Sequence, residues 1–463
     1  MFRLRDASHD AICALATPPG VSGVAVVRIS GANPLSALAP LLYRTLFEPY
    51  PLHKLEPRRL ELALFCDPDG APIDRLLVAH FPAPNSYTGE DVIELQCHGS
   101  PVIVSQIIKT LGRIGIRSAE PGEFTRRAVI NGKMDLAQAE GVNQLIHARS
   151  ERASFAFFKQ MEGGLSQLYE NIRQSLITAI AVLETYIDFE EDADEESPLL
   201  ERAINELETA QTRVEELLSS RRMGQLLREG LRVMLVGRPN VGKSSLFNAI
   251  AQQDKAIVTD IAGTTRDCLE NIIEFQGIQV DFIDSAGIRE SSDPIERIGI
   301  EKARRALDSV DAILFVADAS TGWTDEDDAV LRSLPARNIH LIWNKADLQQ
   351  ANPIQIREFV TVSQTSCLTG EGIDAMLERT LTPCIANSSD DVSLAVTTVR
   401  QENLLNRIQT HLGHAVTQLK ETQLPELAGE ELREALIASQ ELLGQTDSEE
   451  IYDNIFNSFC LGK

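Results

Sequence analysis

The stretch GRPNVGKS, Gly237 to Ser244, constrains this chain more than any other. It reads G-x-x-x-x-G-K-S and lies between an apolar run, LRVMLV, and a helical segment, SLFNAI. The glycines let backbone N–H groups turn towards an anion, and a helix that starts at the lysine adds the positive end of its dipole. A strand, a phosphate-binding loop and a helix in that order belong to a parallel sheet with crossover helices. Lys243 is expected to reach the β and γ phosphates of a nucleotide, and the Ser244 hydroxyl to bind Mg2+. Gly237, Asn240, Val241, Gly242 and Ser245 complete the candidate contacts of this segment.

Further motifs follow in order. IAGTTRD puts Thr265 21 residues past Ser244, where a switch threonine can bind Mg2+ and sense the γ-phosphate. Asp284 closes an apolar run as a second-strand carboxylate, and after Ser285 and Ala286 the N–H of Gly287 can bond the γ-phosphate. NKAD supplies Asn344, Lys345, Ala346 and Asp347 at the end of NIHLIW. The Asp347 carboxylate can accept from guanine N1–H and the exocyclic amine, whereas adenine would leave it unpaired, so GTP is favoured over ATP. SCLTGEG, with Ser366, Cys367 and Leu368, looks like a fifth guanine loop that touches the base through its backbone. One residue is out of place. Ile288 stands where many GTPases carry a glutamine that orients the attacking water, and a hydrocarbon can neither accept a proton nor hold a water.

At 463 residues the chain has length for about three domains, and a hydrophobic fraction of 43% supplies their cores. The expected fold is multidomain α/β: a mixed α/β domain over 1–125, a helical domain over 126–225 and 385–463, and a Ras-like parallel sheet over 226–384. Short β-rich runs and Gly/Pro turns mark the first, as in VSGVAVVRIS and PAPNSYTGED. Leu165, Leu168, Ile172, Leu176, Ile180, Leu183 and Ile187 then trace an apolar stripe along one long helix. It ends in the acidic run DFEEDADEESP, and another helix is expected to about 223. Helical periodicity resumes with Leu404, Ile408, Leu412, Val416 and Leu419, so apolar faces on both sides of the nucleotide module can bury each other.

The formal charge is −25, yet residues 1–150 carry 15 basic and 15 acidic side chains, so the acidic excess lies wholly beyond them. A protein holding RNA alone would show a basic face, and a partner is therefore expected to supply much of that surface. Seven scattered cysteines without a C-x-x-C pair fit a reducing compartment. No apolar run reaches the roughly 20 residues of a membrane span and MFRLRDASHD lacks a signal core, so a cytoplasmic protein is expected. His411 and His414 read as a solvated helix face, and Cys460 as a half-buried structural thiol behind Phe456 and Phe459.

Taken together, GRPNVGKSS, TDIAGTTRD, SAGIRE, IERIGIE, ATPPG with RISG, NSYTGEDVIELQCHG, PGEFTRRA, NGKMDLAQAE and the terminal FCLGK resemble the MnmE (TrmE) family of tRNA modification GTPases, from about residue 11 to Lys463. DSAG in place of the commoner DTAG keeps a hydroxyl. The resemblance implies K+ beside the phosphates, held by Asn240, Thr259, Ile261 and Thr264, with Asp260, Ala262 and Gly263 in the same loop. It implies that Glu296, acting with Lys243 and Thr265, orients the water that Ile288 cannot. It implies a homodimer through the first domain and a 5-formyl-tetrahydrofolate or related one-carbon site at Arg28, Glu94, Lys133 and Lys463. It also implies a heterotetramer with the flavoprotein MnmG, which would hold most of the tRNA during 5-carboxymethylaminomethyl or aminomethyl modification of a wobble uridine. Two other readings compete: a ribosome-assembly GTPase of the Era or Der type, against which the region after 385 offers no G-x-x-G loop, and a folate-dependent transferase with a regulatory GTP module.

Overall fold

The computed structural model describes residues 10–188, 198–252, 271–284, 310–335, 338–348, 359–386, 394–422, 424–445 and the separate residues 452, 455, 456, 459, 460 and 462. Two compact units divide the chain. One comprises Met1–Asn143, Gln160–Gln174 and Leu436–Lys463, and the other Gln144–Lys159 and Ser175–Ala435.

The first unit is built on eight strands: β1 (Ile12–Leu15), β2 (Ser22–Gly31), β3 (Leu42–Thr45), β4 (Glu48–Pro49), β5 (Glu61–Cys66), β6 (Pro72–Phe81), β7 (Asp91–Gly99) and β8 (Arg117–Ser118), in the order β4-β3-β5-β6-β7-β2-β1-β8. Only the short β1/β8 pair is parallel. Alternation decides which face is which: Ala25, Val27 and Ile29 enter the core, so Arg28 between them points to the opposite face. The register pairs Arg28 directly with Glu94 of β7. Helix Pro101–Arg113 covers the core face with Val104, Ile107 and Leu111, spaced three and four residues apart. The tail residues Tyr452, Phe456 and Phe459 pack on Val129, Leu136 and Ala139. Cys460, expected to be half-buried behind these aromatics, is exposed, because the inward positions are already filled by the two phenylalanine rings.

In the second unit β9 (Leu231–Val236), β10 (Asn271–Phe275), β11 (Ile278–Asp284), β12 (Ala312–Asp318), β13 (Ile339–Asn344) and β14 (Thr361–Gln364) form one sheet in the order β10-β11-β9-β12-β13-β14. It is parallel except for the β10/β11 hairpin at its edge. Every residue of β12 and β13 is buried, which explains their unbroken apolar sequence. The strand order reverses beside β9, so the crevice at the carboxyl ends of β9 and β12 is the natural ligand position of such a sheet.

Helices that precede and follow the sheet in sequence pack on each other, Pro198–Ser219 against Val399–Thr417. The second opens with a capping box in which Gln401 N–H donates to Thr398 Oγ1 at 3.2 Å. The helix expected to end near 223 is two helices, Pro198–Ser219 and Arg221–Glu229. The chain breaks at buried Ser220, whose hydroxyl oxygen accepts from Val396 N–H at 3.0 Å. His414 is exposed, as a solvated face requires, whereas His411 is half-buried, and Nδ1 of each meets Glu431 Oε2 of helix Pro425–Leu443, at 3.5 and 2.6 Å respectively. Among the described residues no helix is long and apolar enough to cross a membrane.

Candidate functional site

β9 delivers the chain into the loop Gly237–Gly242, and helix Lys243–Ala251 leaves it. Gly242, the N-cap, has φ 97°, and a Cβ there would meet Asn344 Nδ2. Asn240 holds a left-handed φ of 63° without being glycine. These conformations curl the backbone at the start of the helix, whose first-turn N–H groups have no acceptor within the helix. Lys243 Nζ donates to the carbonyls of Gly237 and Arg238 at 2.8 and 2.9 Å, so the ammonium already lies over the loop. Arg238 is tied back by Asp327, a fully buried carboxylate, at 2.8 Å. Ser244 and Ser245 follow in the first turn of the helix.

The guanine motifs converge on this loop. Asn344, 1% exposed at the end of β13, donates from Nδ2 to Val241 O at 2.9 Å, and Cys367 Sγ lies 3.0 Å from its Oδ1. Lys345 Nζ donates to Asn240 O at 3.0 Å and to Asp318 Oδ2 at 2.6 Å. Ser366 Oγ donates to Asp347 Oδ1 at 2.5 Å and receives Thr369 N–H, which fixes the Asp347 carboxylate. Ala346 N–H bonds Thr365 O at 3.0 Å and locks the two loops together. The fifth loop therefore contributes two side chains, Ser366 and Cys367, beyond the backbone contact its sequence suggests. Burial raises the Cys367 thiol above its ordinary range, so it stays protonated and can donate to Asn344. Leu368 is 85% exposed.

Asp318 is a participant no motif contains. Burial opposes its ionisation, but hydrogen bonds from Lys345 and Ser320 outweigh that and hold the carboxyl below its usual range. The available signal was a lone acid closing the apolar run DAILFVAD, the same pattern that marks Asp284. Asp284 itself ends β11. Thr259, Asp260, Ile261, Ala262, Gly263, Thr264, Thr265, Ser285, Ala286, Gly287, Ile288, Glu296 and Lys463 lie outside the described residues.

A second constellation sits in the first unit, on the face opposite its core. Arg28 donates from Nε and Nη2 to Glu94 Oε1 at 3.1 and 3.0 Å. Its guanidinium lies 5.5 Å from the ring centre of Tyr87 and 6.0 Å from that of Phe124. Nη1 donates to the carbonyl of Gly462 at 3.4 Å. Lys133 is exposed, and its methylenes pass 3.2 Å from where a Cβ on Gly89 would stand, two residues from Tyr87. Acid, cations and aromatic faces together can hold a flat, anionic ring ligand with an amide edge.

The sequence matches two family models, the GTP-binding protein TrmE N-terminus over residues 11–133 and the MnmE helical domain over 136–460. Among similar proteins, the tRNA modification GTPase MnmE of Magnetococcus marinus is 40% identical over 98% of both chains. That of Aquifex aeolicus is 38% identical over 98% of this chain and all of its own. That of Aromatoleum aromaticum is 41% identical over 98% of both.

Proposed function

The chain belongs to the MnmE family of tRNA modification GTPases, and on that premise we propose that it is a potassium-dependent GTPase acting with MnmG on the wobble uridine of certain tRNAs. The observation that carries the GTPase reading is that Asn344 and Lys345 bond the phosphate loop at Val241 and Asn240 while Ser366 holds Asp347 of the same NKAD motif. Phosphates would lie on the loop N–H groups and the helix start, where the dipole favours negative charge. Lys243 would exchange its two carbonyl partners for phosphate oxygens. Asp347, held by Ser366, would accept from the guanine edge.

The Ser244 hydroxyl in the first turn after the curled loop is a donor type that suits a hard cation beside a nucleotide. Ser244 and Thr265 would hold Mg2+, and Asn240, Thr259, Ile261 and Thr264 would hold K+. Such cations offset the charge that builds on phosphate oxygens during hydrolysis. Glu296 would orient the nucleophilic water through a second water, in place of the missing glutamine. In the first unit Glu94 would read the amide and amino edge of a pterin between Tyr87 and Phe124. Arg28, Lys133 and Lys463 would bind the anionic remainder of a one-carbon tetrahydrofolate.

The acidic surplus beyond residue 150 supports a division of labour in which MnmG carries most of the tRNA in a complex of two copies of each protein. Reconstitution tests this. Purified protein, MnmG, GTP, a one-carbon tetrahydrofolate and unmodified tRNA should give the modified uridine, and omission of any one should prevent it. Product formed without MnmG would favour the folate-dependent transferase instead.

A further inference from the structure

Asp318 ends β12 and is 7% exposed, yet no phosphate or guanine motif includes it. Its two oxygens serve different donors. Oδ1 accepts the Ser320 N–H at 2.9 Å and the Ser320 hydroxyl at 2.6 Å, which closes the turn after the strand. Oδ2 accepts Lys345 Nζ at 2.6 Å. The same ammonium donates to the carbonyl of Asn240, at 3.0 Å. Lys345 and Asn240 both hold φ 63°, a conformation that non-glycine residues adopt at a cost. Two hydrogen bonds through Lys345 thus join the end of the central strand to Asn240, the non-glycine residue of the phosphate loop with a positive φ. A residue that only closed the turn would need one acceptor. A carboxylate has two and no donor, whereas an amide could satisfy Ser320 or Lys345 but never both.

We propose that Asp318 is a positioning residue of the nucleotide site, acting through Lys345 to hold the Asn240 carbonyl and so the curvature of the phosphate loop. This rests on reading that loop as a guanine-nucleotide site. Lys345 is about one-third exposed on its side chain, so solvent screens part of the pair.

Titration of the full-length protein with a fluorescent GDP analogue tests the idea. Asp318→Asn should weaken GDP binding on the order of fivefold to tenfold. Ser320→Ala, which loosens the turn but leaves Lys345 paired, should bind as the parent does. Asp318→Asn combined with Lys345→Met should bind no more weakly than Lys345→Met alone. Parent-like binding by Asp318→Asn, an equal loss in Ser320→Ala, or additive losses in the double variant would each overturn the relay. Melting temperatures without nucleotide separate unfolding from a lost contact. If Asp318→Asn does not fold, Lys345→Met, which leaves the Ser320 turn whole, must show the loss for the proposal to stand. Failure of the parent itself to bind GDP would remove the site reading and the relay together, while parent binding with an indifferent Asp318→Asn would remove the relay alone.

Discussion

Replacing Gly242 by alanine probes the joint between the phosphate loop and the base-reading strand. At φ 97° an alanine is strained by about 1–3 kcal/mol. Its Cβ would also fall on Asn344 Nδ2. That atom ends a short side chain, but the residue is 1% exposed and its amide is held at both ends, by Val241 O at 2.9 Å and Cys367 Sγ at 3.0 Å. Moving it aside strands a buried carbonyl, at about 1–3 kcal/mol. The sum, about 2–6 kcal/mol, exceeds what a surface substitution costs and remains below or near the stability of an ordinary domain. Part of it should appear in the folded protein as a distorted loop, so GDP affinity should fall by about 30-fold or more. Calorimetric titration of GDP and thermal unfolding of the same samples measure both shares. Unchanged affinity together with an unchanged melting temperature would refute the claim that Gly242 and Asn344 are locked against each other.

Glu296→Ala should lower kcat with little change in GTP affinity, because the carboxylate is assigned to the transition state alone, and single-turnover kinetics beside equilibrium binding distinguish the two. A loss confined to affinity would reject that role. Arg28→Met should weaken binding of a one-carbon tetrahydrofolate by about tenfold, through a lost charge-assisted contact, and leave GTP hydrolysis intact. Equal folate binding by the variant would move that ligand elsewhere. Glu123 is buried, which opposes ionisation, but bonds from Arg117 at 2.6 Å and Arg127 at 2.9 Å hold its carboxyl below the ordinary 4.5. Its folded value lies below its unfolded one, so the stabilisation is full above about pH 4.5 and fades as pH falls through the lowered value. The melting temperature of the parent should therefore drop more steeply than that of Glu123→Gln between about pH 5 and pH 3, and parallel curves would contradict the assignment.

The sequence made the nucleotide module legible because each of its parts is a local pattern. The run LRVMLV before GRPNVGKS is β9, the apolar runs DAILFVAD and NIHLIWN are β12 and β13, and the stripe from Leu165 to Ile187 is helix Gly164–Asp188. Contacts between distant segments left weaker traces. Nothing near Ser220 announces that Val396, 176 residues on, will bond its hydroxyl and split a helix there. Glu431 likewise claims His411 and His414 from another helix, a pairing that no periodicity encodes. At the site, Asn344 and Asp347 could be named from their motif, whereas Cys367 was legible as part of the fifth loop but not as a donor to Asn344. Asp318 was hidden because its function depends on Lys345 and Asn240 meeting in space. Arg28 and Glu94 stand apart in sequence, and only the β2/β7 register makes them a pair.

GTP turnover at matched ionic strength in potassium and in sodium bears most directly on the account, with nucleotide affinity measured in both salts. Rapid hydrolysis in potassium, near-loss of it in sodium and similar affinity in each would agree with an alkali cation that offsets the charge building on the phosphates. Equal turnover in the two salts would contradict it.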